Sequence, residues 1–443
     1  MKTIMPNNAI KSLKIFSLLV GSLLLQEAYA SPLVACYGYM MHSCPEPVDR
    51  IIPDPEKRFT WSQSERVIGS KNMYHLFAGD VFLSSENNIQ KLPAGQTISN
   101  VEYKLDNKKL GLGDYLKNQN IAGLLVIKNG KIVLEHYGDS INETTLWTSR
   151  SVAKSIVSVL IGAAIKDHAI ESVDTLITKY IPELGGTAWE GVTLHQLMQH
   201  TSGIQWSEDY TDPNSDFAKM ILCETTKDSY SCILSLVSGL ARNPGVKPGE
   251  RWSYNTGGAW LVGLVLERAT GMTIAKYLEK KVWQPAGMER DGVWYALKPG
   301  KVDMGGYGFN ATLRDWGRFG LLVANNGVLS NGEHVLPGDW IKRSTDWTKA
   351  DGSVKPWAPK GQHGYQWWYM GFASGDEAFY APTSTFNSDE SFWAYGIFGQ
   401  AIAINQKEKL IMVQWSTWEH AEGPDVLYSE QGVFFNSLIQ ALH

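Results

Sequence analysis

The chain has 443 residues, with 45 acidic and 40 basic side chains, a formal net charge of −5 and 44% hydrophobic residues. That is enough apolar material for a large core in one or two folding units. The near-balanced charge excludes nucleic acid as the main partner, because holding a phosphate backbone requires a strongly basic face.

Residues 1–30 read as a cleaved secretory leader. Lys2, Lys11 and Lys14 make a positive start, and the apolar run from Ile15 to Leu25 is too short to span a bilayer. Ala28-Tyr29-Ala30 then fits the small-x-small rule and predicts Ser31 as the mature start. Leu33-Val34-Ala35-Cys36 has the look of a lipidation box, but Gln26 and Glu27 part it from the apolar run, which favours cleavage over anchoring. No other stretch is apolar and long enough to cross a membrane. The expected location is therefore periplasmic or secreted. The four cysteines fall into two close pairs, Cys36 with Cys44 and Cys223 with Cys232. In an exported chain an even count suggests two local disulfides; four free thiols are the alternative, which an oxidising compartment disfavours. No Cys/His spacing suits zinc, so neither metal nor cofactor is implied.

Residues 31–120 are expected to form an extension wrapping the rest, with 45–115 polar and irregular. At 121–137 two β-rich runs meet at Asn129-Gly130, the preferred pair for a tight hairpin. A helix follows behind Ser151, and the pattern from about 155 to 300 is mainly helical. Thr193 can cap a helix that Gly203 ends; Ala259–Ala269 is a further helix with Gly271 beyond it; Thr312 heads another. Phe398–Ile404 and Leu410–Ser416 read as strands, and 428–442 as a closing amphipathic helix. Strands at both ends around a helical block predict an α+β fold: an antiparallel sheet built from distant segments, flanked by helices, with a mainly helical subdomain at its side. The expected main domain is 121–443.

Three stretches carry chemistry. Ser151 and Lys154 lie three residues apart at the head of an apolar helix, so their side chains share one face. A partly desolvated amine has a lowered pKa and can take a proton from the hydroxyl. Next, Tyr254 stands in the Gly-rich loop Pro248–Gly258, where a phenol beside an ammonium ionises more readily; alone, the loop also reads as a connector with a buried aromatic. Finally, Trp393-Ala394-Tyr395-Gly396-Ile397 precedes a strand, and its glycine lets a substrate approach the backbone; alone, it also reads as an ordinary bulge.

Taken in order, Ser-x-x-Lys, a Tyr in a Gly-rich loop and a glycine at a strand entry resemble the serine β-lactamase and penicillin-binding-protein superfamily. The chain looks closest to its class C-like esterase and amidase branch, the β-lactamase-related serine hydrolases of the 6-aminohexanoate-dimer hydrolase group. Leu197-Met198-Gln199-His200-Thr201-Ser202-Gly203, Pro248-Gly249 ahead of Trp252-Ser253-Tyr254, Ala311–Gly320 and Gly364-Tyr365-Gln366-Trp367-Trp368 are similar to segments of that branch.

The resemblance implies Ser151 as nucleophile, Lys154 and Tyr254 as general base and acid, and backbone N–H groups of Ser151 and Ile397 as the oxyanion hole. It suggests Tyr210, Asn255, Tyr395, Gly396 and Trp367 as substrate contacts, and a small ester or amide as the partner. Two departures stand out. Thr256 replaces an asparagine that contacts the β-lactam amide, and Ala394-Tyr395-Gly396 replaces Lys-Thr-Gly, removing the cation that grips a substrate carboxylate. Both point away from penicillins and toward neutral or cationic substrates. A cell-wall peptidase or weak β-lactamase, and a non-catalytic sensor on the same fold, remain as alternatives. A Ser-His-Asp hydrolase is disfavoured because no Gly-x-Ser-x-Gly elbow is present, and His200 reads as a helix-end residue rather than a base.

Overall fold

The hairpin at Asn129-Gly130 is the seed of the main sheet. In the computed structural model, which describes residues 33–47, 49, 51–345, 363–368 and 391–442, both turn residues have positive φ (52° and 75°), as this tight hairpin requires. Its strands Ile121–Lys128 and Lys131–Tyr137 continue into three strands from the far end of the chain. The order is Ser391–Gly396, Gln400–Asn405, Leu410–Ser416, Ile121–Lys128, Lys131–Tyr137, antiparallel throughout. The leader and its cleavage site lie outside the described residues.

Ala122 to Ile127 are all buried because both faces of this sheet are covered. Side chains alternate between the faces. Leu125, Ile127, Ile402, Ile411 and Val413 join the core that contains the helix Val152–Lys166 and the helix Leu313–Ala324. Leu124, Val126, Ala403 and Met412 join a second cluster with Phe434, Phe435 and Leu438 of the terminal helix Asp425–Ala441. Each of the larger side chains so buried contributes about 1.5–3 kcal/mol.

The helix Val152–Lys166 is apolar on every side and buried from Val152 to Ala164, as befits an element packed all round. Close packing is visible at Gly162, where a Cβ would stand 2.6 Å from the Trp340 ring. On one flank lies the helix Thr256–Thr270, closed by Gly271 at φ 68°.

Several boundaries differ from the sequence-based expectation. Gly292–Lys298 is a strand, not part of a helical block: Val293, Trp294 and Tyr295 are buried in a second sheet with Phe309–Ala311, Trp147–Thr148 and Gly79–Phe82. Residues 45–115 include the helix Gln63–Lys71, the strand Gly79–Phe82 and the hairpin Glu102–Leu105/Lys108–Gly111, so they are not irregular. The helix that Thr193 caps spans Leu194–Met198; the chain then turns at His200, φ 59°, before reaching Gly203. The strand expected at Phe398 starts at Gln400, since Phe398 sits at φ 63° in a turn that reverses Ser391–Gly396 into its neighbour. Both expected disulfides are present, Cys36–Cys44 and Cys223–Cys232. Among the described residues no helix is long and apolar enough to cross a membrane.

Candidate active site

Ser151 occupies the N-cap of the buried helix, with Lys154 one turn in. Lys154 Nζ donates to Ser151 Oγ at 2.9 Å, to Thr256 Oγ1 at 3.1 Å and to the Gly306 carbonyl at 2.8 Å. Three acceptors hold the amine in one place, and only 3% of the residue is exposed. Burial lowers its pKa from 10.5 to about 8, opposed by the Glu208 carboxylate. A useful fraction of neutral amine is thus available near neutral pH, aimed at the serine hydroxyl.

Tyr254 reaches the same point from a loop about a hundred residues on. Its phenol interacts with the Ser151 side chain, and its ring lies 5.1 Å from Lys154 Nζ. The expectation that an adjacent ammonium would ionise this phenol is reversed. Burial, then the nearby Glu208 charge, raise the Tyr254 pKa, with only the Ser151 hydrogen bond acting the other way. The phenol rests protonated and could give up a proton, while the neutral form of the Lys154 amine could accept one. The Tyr254 ring is held between His200, at 4.6 Å, and Trp368, stacked at 5.7 Å. His200 accepts the Asn255 N–H on Nδ1 and, being buried, is held well below its ordinary pKa. It is a fixed neutral wall.

Gly396 brings the third stretch to the serine. A Cβ there would meet the Ser149 carbonyl at 2.6 Å and the Ser151 nitrogen at 3.0 Å, so only glycine admits this approach. Ile397, the next residue, lines the same cleft as Ser151.

The cleft encloses about 280 Å³. Tyr210, Tyr395 and Gly396 line it, as do Trp252, Trp368, Glu208 and Glu422. Two expected substrate contacts lie elsewhere. Asn255 is buried, and its Oδ1 accepts the Gly258 N–H at 2.6 Å to cap the helix Thr256–Thr270, so it serves the backbone. Trp367 is fully buried in the core, edge-on to Phe392 at 5.2 Å. Its neighbour Trp368 takes the cleft position, because adjacent residues of an extended segment face opposite ways; the Trp368 N–H donates to the Trp393 carbonyl at 2.8 Å.

Glu208 is the group that sequence reasoning missed. It accepts the Thr256 N–H at 2.9 Å, the Thr256 hydroxyl, the Trp206 indole N–H and, at 3.1 Å, the Tyr210 hydroxyl. Its charge therefore sits at a helix N-terminus, where the helix dipole favours it. Thr256, seen in the sequence only as a lost asparagine, links Lys154 to Glu208 through one hydroxyl. Nothing in an acidic surface turn announces such a role. Among the described residues no group of three or more His, Cys, Asp or Glu is placed to hold a metal ion.

A family model described as Beta-lactamase matches residues 112–431. The chain is 25% identical over 309 residues to the 6-aminohexanoate-dimer hydrolase of Paenarthrobacter ureafaciens, a match spanning 66% of this chain and 72% of that protein. To Esterase EstB of Burkholderia gladioli it is 28% identical over 176 residues, spanning 37% of this chain and 42% of the relative, less than half its length. Among solved structures, "Putative 6-aminohexanoate-dimer hydrolase from Bacillus anthracis" matches with a TM-score of 0.72 at 21% identity, over 88% of this chain and 98% of that one. At that identity the match establishes the shared fold: antiparallel sheets with helices.

Proposed function

The chain belongs to the β-lactamase family of serine hydrolases, and from that premise we propose that it is an exported esterase or amidase working through an acyl-enzyme on Ser151. The observation that carries this reading is the buried Lys154 amine, 2.9 Å from the Ser151 hydroxyl and with its pKa lowered to about 8. Ser151 Oγ attacks the carbonyl carbon as its proton passes to Lys154. The N–H groups of Ser151 and Ile397 meet the oxyanion, and Tyr254 delivers a proton to the leaving alcohol or amine. Water then attacks the acyl-enzyme by the reverse path and releases the acid.

The walls support neutral or cationic substrates. Six aromatic side chains and the carboxylates of Glu208, Glu422 and Asp425 line the cleft, and the position of the superfamily's Lys-Thr-Gly cation holds Ala394. Burial, then the Glu208 and Asp209 charges, raise the Glu422 pKa, so a substrate cation entering there meets uncompensated negative potential. The two disulfides fit an oxidising compartment, which supports export together with the leader read in residues 1–30.

The test is a panel of p-nitrophenyl esters, short amide dimers and a chromogenic cephalosporin, run on the wild type and on Ser151→Ala. Turnover of esters or amides that falls by several orders of magnitude in the variant is expected. Undiminished hydrolysis by Ser151→Ala would discard the acyl-enzyme route. A wild-type Ser151 that a fluorophosphonate leaves unmodified, by mass spectrometry, would favour a binding protein instead.

A further inference from the structure

Behind the nucleophile, on the N-terminal side of its turn, lies a cavity of about 30 Å³ unrelated to the substrate cleft. Arg58, Thr148, Arg150, Glu224, Tyr307 and Asn310 are in its wall. Arg58 is already matched: its Nη2 donates to Glu224 Oε2 at 2.7 Å, and the Tyr307 hydroxyl donates to the same carboxylate. Arg150 is not. It is 8% exposed, its Nη2 has no hydrogen-bond partner, and among the described residues it forms no ion pair. Arg66 is close as well, its guanidinium 4.1 Å from the Phe398 ring centroid, with Arg150 5.5 Å from that centroid. Burial, then repulsion from Arg58 and Arg66, lower the Arg150 pKa to about 9 against smaller opposing pulls from Tyr307 and Glu224, which leaves it charged at neutral pH beside one carboxylate that it shares with Arg58. A buried charge without an ion-pair or hydrogen-bond partner is unfavourable.

We infer that this cavity binds a small monovalent anion of the size of chloride, held by the Arg150 guanidinium and bracing the turn that carries Ser151. The space accommodates such an ion, since a water needs only ~10–15 Å³ by the same measure. Asn310 Oδ1, buried without a partner, is also in the wall, and a water could serve it. A water would, however, leave the excess of Arg58, Arg66 and Arg150 over the single Glu224 carboxylate uncompensated. The anion has a route to function. Arg150 directly precedes Ser151 and holds φ 49°, while Phe398 directly follows Ile397 at φ 63°, so the guanidinium contact joins the two turns whose N–H groups form the proposed oxyanion hole.

The test uses the full mature chain exchanged into sodium gluconate, whose anion is too large for the cavity. Chloride or bromide is then titrated in at constant ionic strength while the melting temperature is followed, and crystals are soaked in sodium bromide. A saturable rise of about 2 °C or more is expected, together with an anomalous bromide peak against Arg150 Nη2. Arg150→Met should lose the rise. Should that variant not fold, the bromide peak in the wild type decides. Absence of the peak overturns the proposal whatever the melting curves do, and leaves a water in the cavity. Neither readout depends on hydrolysis, so the anion site and the hydrolase reading stand or fall separately.

Discussion

In the proposed mechanism the pH dependence of the reaction reports directly on Lys154. With a pKa of about 8 in place of 10.5, about one amine in ten is neutral at pH 7, against about one in 3,000 for an ordinary lysine. Burial therefore raises the supply of base about 300-fold at neutral pH. For the wild type, kcat/KM on a short-chain ester should climb about tenfold per pH unit below the limb and level off above about pH 8. Glu208→Gln removes the carboxylate that raises this pKa, so the limb should move to lower pH. At pH 6 the variant then retains a larger share of its own plateau than the wild type does. Lys154→Arg keeps a cation that cannot deprotonate, and should lose about 10³-fold or more at every pH. Rates measured by pH-stat from pH 5.5 to 10 avoid the titration of a chromophoric product. A limb centred near 10.5, or a limb that Glu208→Gln moves upward, would refute Lys154 as the base tuned by Glu208.

Three further outcomes are expected. Gly396→Ala drives a Cβ to 2.6 Å from the Ser149 carbonyl, so kcat should fall by about 10²–10³-fold through loss of the oxyanion geometry; activity within twofold of wild type would count against that geometry. Lys154→Met should stabilise the fold at neutral pH. Between about pH 8 and 10.5 the unfolded chain binds more protons at this site than the folded one, so wild-type stability rises with pH there and the cost is fully present below 8. The variant's advantage by denaturant unfolding should be about 3 kcal/mol larger at pH 7 than at pH 10.5, and an equal advantage at both would contradict the buried-charge account. Replacing Cys223 and Cys232 by serine opens a short loop joining two helices and should lower stability by about 2 kcal/mol, read from the shift in urea midpoint at unchanged slope; an unmoved midpoint would show the bond to be dispensable.

Local signals carried a good part of the site. The three-residue interval from Ser151 to Lys154 fixes a shared helix face, and the apolar run behind it ensures a buried amine, so both position and lowered pKa could be foreseen. Asn129-Gly130 specified its hairpin because both positions need positive φ. Gly396 was legible as a point of close approach, though what approaches is the backbone of the nucleophile turn as well as the cleft. Trp367 and Trp368 mark where such reading stops. One goes to the core and the other to Tyr254, and a shift of one residue exchanges them, so residue type alone cannot choose. Asn255 looked like a substrate contact until the start of the helix at Thr256 turned it into a cap.

By itself the sequence determined the shared helix face of Ser151 and Lys154, the strands of the antiparallel sheet, and the paired cysteines, because each depends on neighbours within a few residues or on periodicity along one segment. Only the tertiary structure decided which distant groups set the charge around them. Glu208 restrains the Lys154 shift and adds to the burial that keeps Tyr254 protonated, acting across separate loops. Among the described residues Arg150 forms no ion pair, because Arg58, Arg66 and Arg150 come together from separate segments beside the one carboxylate of Glu224. Coulomb energies depend on distance and burial, and neither is written in the order of residues until the chain has folded.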